Sequence, residues 1–331
     1  MSSATAPRRR NWADLAQRGA LPAVWVLLAI GFAIALPDTF LTGRNLSNIL
    51  GSQAVIAVLT LGILIPLTAG DFDLSVAFGL TLSSMVIAIL NAEHGVPIVV
   101  AILAALAIGA AIGAVNGGLV VLLGIDSLIV TLGTGTFIGG VILWISDGNT
   151  ISGVSEALVN AVIVHRVFGI PLEFFYGLLL CIAVWYLFEF TPLGRRMLFV
   201  GRGRSVARLA GVRVARIRWG ALIASGMIGA LAGVLYVGTT GAADPTSGTA
   251  FLLPAFAAAF LGSTTIMPGR FNPWGSIVAV YTLATGITGL QLLGVPSFVQ
   301  SLFYGGALVI AVALSQLARR REERDADPIV P

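Results

Sequence analysis

The 331-residue chain contains no lysine, for all nineteen of its basic residues are arginines. A phosphate-cradling P-loop needs its lysine on the phosphates, so the chain cannot hold a conventional one. A Schiff base with retinal or pyridoxal phosphate is excluded for the same reason. Cys181 is the single cysteine, and His94 and His165 are the only histidines. Zinc-type clusters and disulfides are therefore excluded. Charge of either sign is also scarce, at 10% of residues, where a soluble domain carries about a quarter.

What is present in quantity is apolar sequence. Hydrophobic residues make up 57% of the chain, and the mean hydropathy is +0.97. The apolar runs are long, repeated and uncharged, as spanning helices of roughly 20 residues require. Ten such segments are read near 21–36, 49–69, 74–90, 96–123, 128–145, 174–190, 219–237, 251–266, 277–293 and 298–317. The fold class expected is an all-α integral membrane protein, a polytopic bundle of about ten transmembrane helices with broken segments in both halves. Polar, basic sequence precedes the first run, which has no small-residue cleavage site after it, so no cleavable leader is expected.

Arginine placement orients the bundle. With ten spans, seventeen arginines fall on one side and only Arg44 and Arg166 on the other. By the positive-inside rule both termini are cytoplasmic, with tails at 1–20 and 318–331 around a membrane domain at 21–317. The longest external piece, 146–172, has room for a short helix on the surface. One substantial cytoplasmic loop, 191–218, carries eight arginines and no acid. Anionic headgroups account for part of that charge. Within the loop, 205–210 reads as a short helix bounded by Gly203 and Gly211, the shape needed to dock a partner.

The stretch LTAGDFDLSVAFG raises a sharper question. It sets Asp71 and Asp73 between two apolar runs, with the nearest basic residues in the chain at Arg44 and Arg166. A carboxylate at the centre of a span costs about 2.5–3.5 kcal/mol on insertion scales, so such residues are functional candidates. Gly70 permits a broken helix whose next segment an aspartate caps, accepting from its free N–H groups. Direct contact with a polar solute and a proton-coupled role stand beside that capping reading.

In these residues the chain resembles the ribose/xylose/galactose branch of ABC-importer permeases. LTAGDFDLSVAFG is similar to that family's GGIDLSVG signature, and VNGGLVVLLGIDSLIVTLGT to its NG…TLGT segment. The stretch 200–214 and the later GALAGVLYVGTTGAADPTSG, FAAAFLGSTTIMPGRFNPWG and GLQLLGVPSFVQ follow in family order across roughly 45–316. Ala69, Phe72, Ala77, Asp126, Arg204, Val206 and Ser263 depart from the pattern.

The resemblance implies a permease subunit without an ATPase site of its own. It holds no cofactor, ATP being bound by a partner. Its implied partners are cytoplasmic ATP-binding subunits, an external or periplasmic solute-binding protein, a second permease subunit (identical or a sister) and membrane lipids, but no nucleic acid. The implied location is the bacterial inner membrane. Gly70, Asp71, Asp73, Leu74, Ser75, Asn116 and Thr131 fall on the signature turn or translocation path. Gly203, Arg204, Ser205, Ala207, Arg208, Leu209 and Gly211 fall on the ATPase-coupling loop, where Ala207 is expected to face the docked partner. Arg218 is expected to serve topology or lipid contact.

Two other classes compete. An ion-coupled secondary transporter also has broken segments in both halves, here near 70–73 and 268–275, but no basic residue within a span is available to relay protons with the two aspartates. A membrane-embedded enzyme needs an acid–base or metal constellation, and two loop histidines and one cysteine supply none.

Overall fold

The computed structural model describes the backbone of residues 12–326 and the side chains of residues 18–314. Fourteen α-helices are present among them: α1 (Trp12–Ala35), α2 (Gly43–Ser52), α3 (Ala54–Thr68), α4 (Ser75–Ala88), α5 (Ile98–Leu122), α6 (Ser127–Ser146) and α7 (Glu156–Val159). Then follow α8 (Leu172–Phe190), α9 (Pro192–Arg202), α10 (Arg204–Leu209), α11 (Val214–Thr240), α12 (Ser247–Gly262), α13 (Pro273–Leu292) and α14 (Phe298–Ala326). Eight helical segments are long and apolar enough to cross a membrane, and α12 and the 298–314 part of α14 are shorter apolar helices. The protein is an all-α polytopic bundle. Side chains at 1–17 and 315–331, including the arginines at 8–10, 319–321 and 324, lie outside the described residues.

Helix starts follow local chemistry. Thr42, Asp126, Thr191 and Asn272 each precede a helix and accept from one of its first N–H groups, satisfying donors that the helix leaves free. Pro192 and Pro273 occupy first helical positions, where the missing N–H costs nothing. The segment expected at 49–69 is divided at Gln53, so that a polar helix, α2, leads into the fully buried α3. The piece 146–172, expected to be external, folds as a packed cap. Its Leu158 and Val162 are buried, and Val162 sits on Gly238 of α11.

The interior is organised around α11. Glycines let α5 cross it at backbone distance: a Cβ on Gly113 would lie 2.3 Å from the carbonyl oxygen of Leu222, and one on Gly226 would lie 2.2 Å from that of Gly109. Close approach of small residues is how helices associate where lipid removes the hydrophobic driving force. α4 runs beside α11 in the same direction, with Val76 against Gly229 and Leu80 against Gly233. α3 runs the opposite way, with Gly62 against Ser225 and Ile228. The α3–α4 connection therefore turns back beside the start of α11, and that start belongs to the arginine-rich end. Arg44 and Arg166 lie together at the opposite end, beside Ser47 and Glu173.

Candidate functional site

The α3–α4 connection is built around Gly70, whose φ of +82° is open to glycine and costly for other residues. The chain then extends through Asp71, Phe72 and Asp73 and restarts as α4. α6 holds this turn with two hydroxyls one helical turn apart. The Phe72 N–H donates to Ser127 Oγ at 3.0 Å, and the Leu74 N–H donates to Thr131 Oγ1 at 3.1 Å. Asp73 accepts on Oδ1 from the Ser75 N–H at 3.0 Å and from Ser75 Oγ at 2.6 Å. Asn116 of α5 donates in turn to Ser75 Oγ at 2.7 Å. All seven residues expected on the signature turn or translocation path meet in one cluster.

Asp71 differs from the expectation of an unpartnered acid. Its side chain is fully buried and bound by two arginines that lie far along the chain. Arg218 of α11 grips it with both ends of the guanidinium, Nε to Oδ2 at 2.7 Å and Nη2 to Oδ1 at 2.6 Å. Arg204, the first residue of α10, reaches Oδ1 at 2.9 Å and the Gly70 carbonyl at 2.6 Å. A two-point guanidinium–carboxylate fork is the strongest common form of ion pair. Arg218 is therefore a structural partner of the turn, which corrects its assignment to topology or lipid contact. Position along the chain hid this pairing, because Arg204 and Arg218 lie beyond four further spanning helices.

Among the described residues Asp73 has no cationic partner. It accepts from the first N–H of α4 and so fulfils the capping reading, whereas Asp71 caps nothing. The Asp73 carboxyl also faces the hydroxyl of the neighbouring Ser225 and the Val76 N–H, while Asn116 Oδ1 is buried with no hydrogen-bond partner among the described residues. Buried polar atoms are nearly always satisfied. Asn116 Oδ1 is thus hydrogen-bonding capacity beside the turn that the described residues do not use.

The segment after α8 abuts the turn from the arginine-rich end. A Cβ on Gly201 of α9 would lie 2.1 Å from the Thr68 carbonyl oxygen, so backbone meets backbone there. α10 follows, bounded by the extended Gly203 and by Gly211 at φ +78°. One residue departs from its expected role. Ala207 is fully buried in the chain's own core and faces inward. The outward face carries Val206 at 58% and Leu209 at 90% exposure, flanked by exposed Ser205 and Arg208.

The cluster also contains residues that the sequence reading passed over. Ser127 stands four positions before Thr131 on the same face of α6, a spacing that pairs their hydroxyls. Phe72 reaches the second half of the molecule, stacking near Phe256 and Phe260 of α12 with ring centroids 6.4 and 6.5 Å away.

Residues 45–312 match a family model described as the branched-chain amino acid transport system permease component. The chain is 33% identical over 318 residues to the ribose import permease protein of Escherichia coli, covering 94% of this chain and 98% of that protein. It is 32% identical over 292 residues to the D-allose transport system permease protein of the same organism, covering 88% and 89%. An autoinducer 2 import system permease protein of Photorhabdus laumondii is 31% identical over 300 residues, covering 88% and 89%. No solved structure matches significantly. From the span of that match and from relatives aligned nearly end to end, the chain belongs to the family of permease components of the branched-chain amino acid transport system.

Proposed function

We propose that this permease passes a sugar or similar small polar solute, received from an external binding protein, through a path beside the Asp71–Ser75 turn. Hydrolysis of ATP on separate cytoplasmic subunits drives the step. The relatives' printed solutes, ribose, D-allose and autoinducer 2, motivate the solute class. In this reading both termini are cytoplasmic, a second permease subunit completes the path, and ATP-binding subunits seat on α9 and α10. The observation that carries it is the direct joint between α10 and the turn, Arg204 to Asp71 and to the Gly70 carbonyl. A partner pressing on the outward face of α10 acts through that joint on the polar turn between α3 and α4.

Both carboxylate oxygens of Asp71 are already taken by arginines, which favours a structural role for that carboxyl over a proton-coupled one. Leu209 supplies the test. Leu209→Glu puts charge on a 90% exposed apolar tip, so the chain's own fold should be indifferent while a partner's apolar groove rejects it. Expected is normal insertion with loss of the ATP-binding subunit on co-purification, and loss of ATP-driven uptake in vesicles. Retained assembly, or uptake driven by a proton gradient without ATP, would sink this reading.

A further inference from the structure

We propose that the groove between α3, α8, α9 and the first turns of α11 binds an anionic phospholipid. Its phosphate sits among Arg196, Arg213 and Arg216, and an acyl chain lies along the apolar floor. The groove encloses about 680 Å³. Three guanidinium groups line it, Arg196 from α9, Arg213 just before α11 and Arg216 in its first turn, and among the described residues no acidic side chain does. Among the described residues none of the three is in an ion pair, in contrast to Arg204, Arg218 and Arg270. Like charges gathered on one cavity repel unless an anion stands among them.

The rest of the lining has the opposite character. Ile65, Leu187, Met197, Ile217, Ala221 and Ala224 make an apolar floor. Gly220 has open space where a side chain would stand, and with Ala221 and Ala224 it keeps this flank of α11 thin. From Arg216 to Ala224 the helix rises about 12 Å, so the floor runs from the level of the arginines well into the spanning segment. α8 ends at Phe190 and α11 begins at Val214, which puts the arginines at the ends of spans, where headgroups lie. A free phosphate gains nothing from the floor, and a lipid without net charge leaves three arginines unanswered. An anionic phospholipid answers both, as basic pockets between spanning helices do generally.

Delipidated full-length chain in detergent would be titrated with phosphatidylglycerol, phosphatidylcholine and inorganic phosphate, with bound species counted by native mass spectrometry. Phosphatidylglycerol should bind in preference to the other two. Arg213→Gln with Arg216→Gln should weaken it roughly tenfold, whereas Arg195→Gln with Arg202→Gln, outside the groove, should change it less than about twofold. Gly220→Trp fills the floor while leaving every charge, and it too should weaken lipid binding. Equal loss in both arginine pairs would mean diffuse surface charge and would overturn the site. So would phosphate competing as strongly as lipid with indifference to Gly220→Trp, which identifies a free oxyanion. Release of the lipid on adding the ATP-binding subunit would assign the groove to that protein instead, and the proposal would fall.

Discussion

Asp71 and Asp73 stand two residues apart, both fully buried, and different chemistry supports each. Asp71 is balanced by charge and Asp73 by hydroxyl and amide donors, so the same substitution should have different costs at the two positions. An amide at 73 still offers an oxygen to the Ser75 N–H and Oγ. Asp73→Asn should therefore keep most uptake and lose about 1 kcal/mol of stability. Asp73→Leu strands those donors and should abolish transport, as uptake assays on membranes with matched protein amounts will report. Complete loss in both variants at normal protein levels would mean that the charge itself is required. Asp71→Asn instead leaves Arg218, only 15% exposed, without its counter-charge, a loss of about 3 kcal/mol. Arg204→Gln should cost about 1 kcal/mol or less, since that side chain is 43% exposed. Thermal unfolding of the two variants in detergent should separate them in that order, and equal shifts would refute the division of roles. The residue types at 70–75 were legible in the sequence as a break with two acids. Their partners were not, because a contact between positions 71 and 218 leaves no periodic trace.

At the scale of elements, every membrane-length helix was visible as an apolar run, but the packing that joins α5 to α11 was written in a signal left unread. Gly109, Gly113 and Gly117 recur every four residues and so share one face of α5, and each meets α11 within 3 Å of where a Cβ would stand. Gly113→Val must push the two helices apart, because the obstructing atoms are the backbone of Leu222 and Ile223. Overpacking of this kind costs about 1–3 kcal/mol, and here it should also lower the yield of folded protein. Gly140→Val on α6, where nothing lies within 4 Å, is the matched control and should unfold within a degree or two of the unaltered chain (roughly 0.5 kcal/mol). Fluorescence-detected size exclusion after a heating series distinguishes the two. α10 offers the complementary lesson. Its existence was legible from bounding glycines, yet the direction of Ala207 was not, since six residues span fewer than two turns and show no clear period.

For the whole molecule, hydropathy located the spans but could not sort them into inner and outer. More than four-fifths of the α2–α3 span is buried by protein, against fewer than a quarter of the α5 span and almost none of α1. Lipid and protein interior are equally apolar, so each span reads as hydrophobic all round. Orientation, by contrast, rests on charge, and the fold makes it testable with one helix. Among the described residues only α8 spans between the cap at Glu156 and the start of α10. α8 also separates Arg166 on one end of the bundle from Arg195, Arg196, Arg202 and Arg204 on the other. A reporter inserted beside Glu156 should thus be active only outside the membrane, and one fused after Arg204 only in the cytoplasm. Replacing Arg195, Arg196 and Arg202 together by glutamine should weaken that preference without inverting it, because the later arginines of 204–218 remain. Reporters that read from the same side would mean that α8 does not cross, and the assignment of α9 and α10 to the ATP-binding side would fail with it.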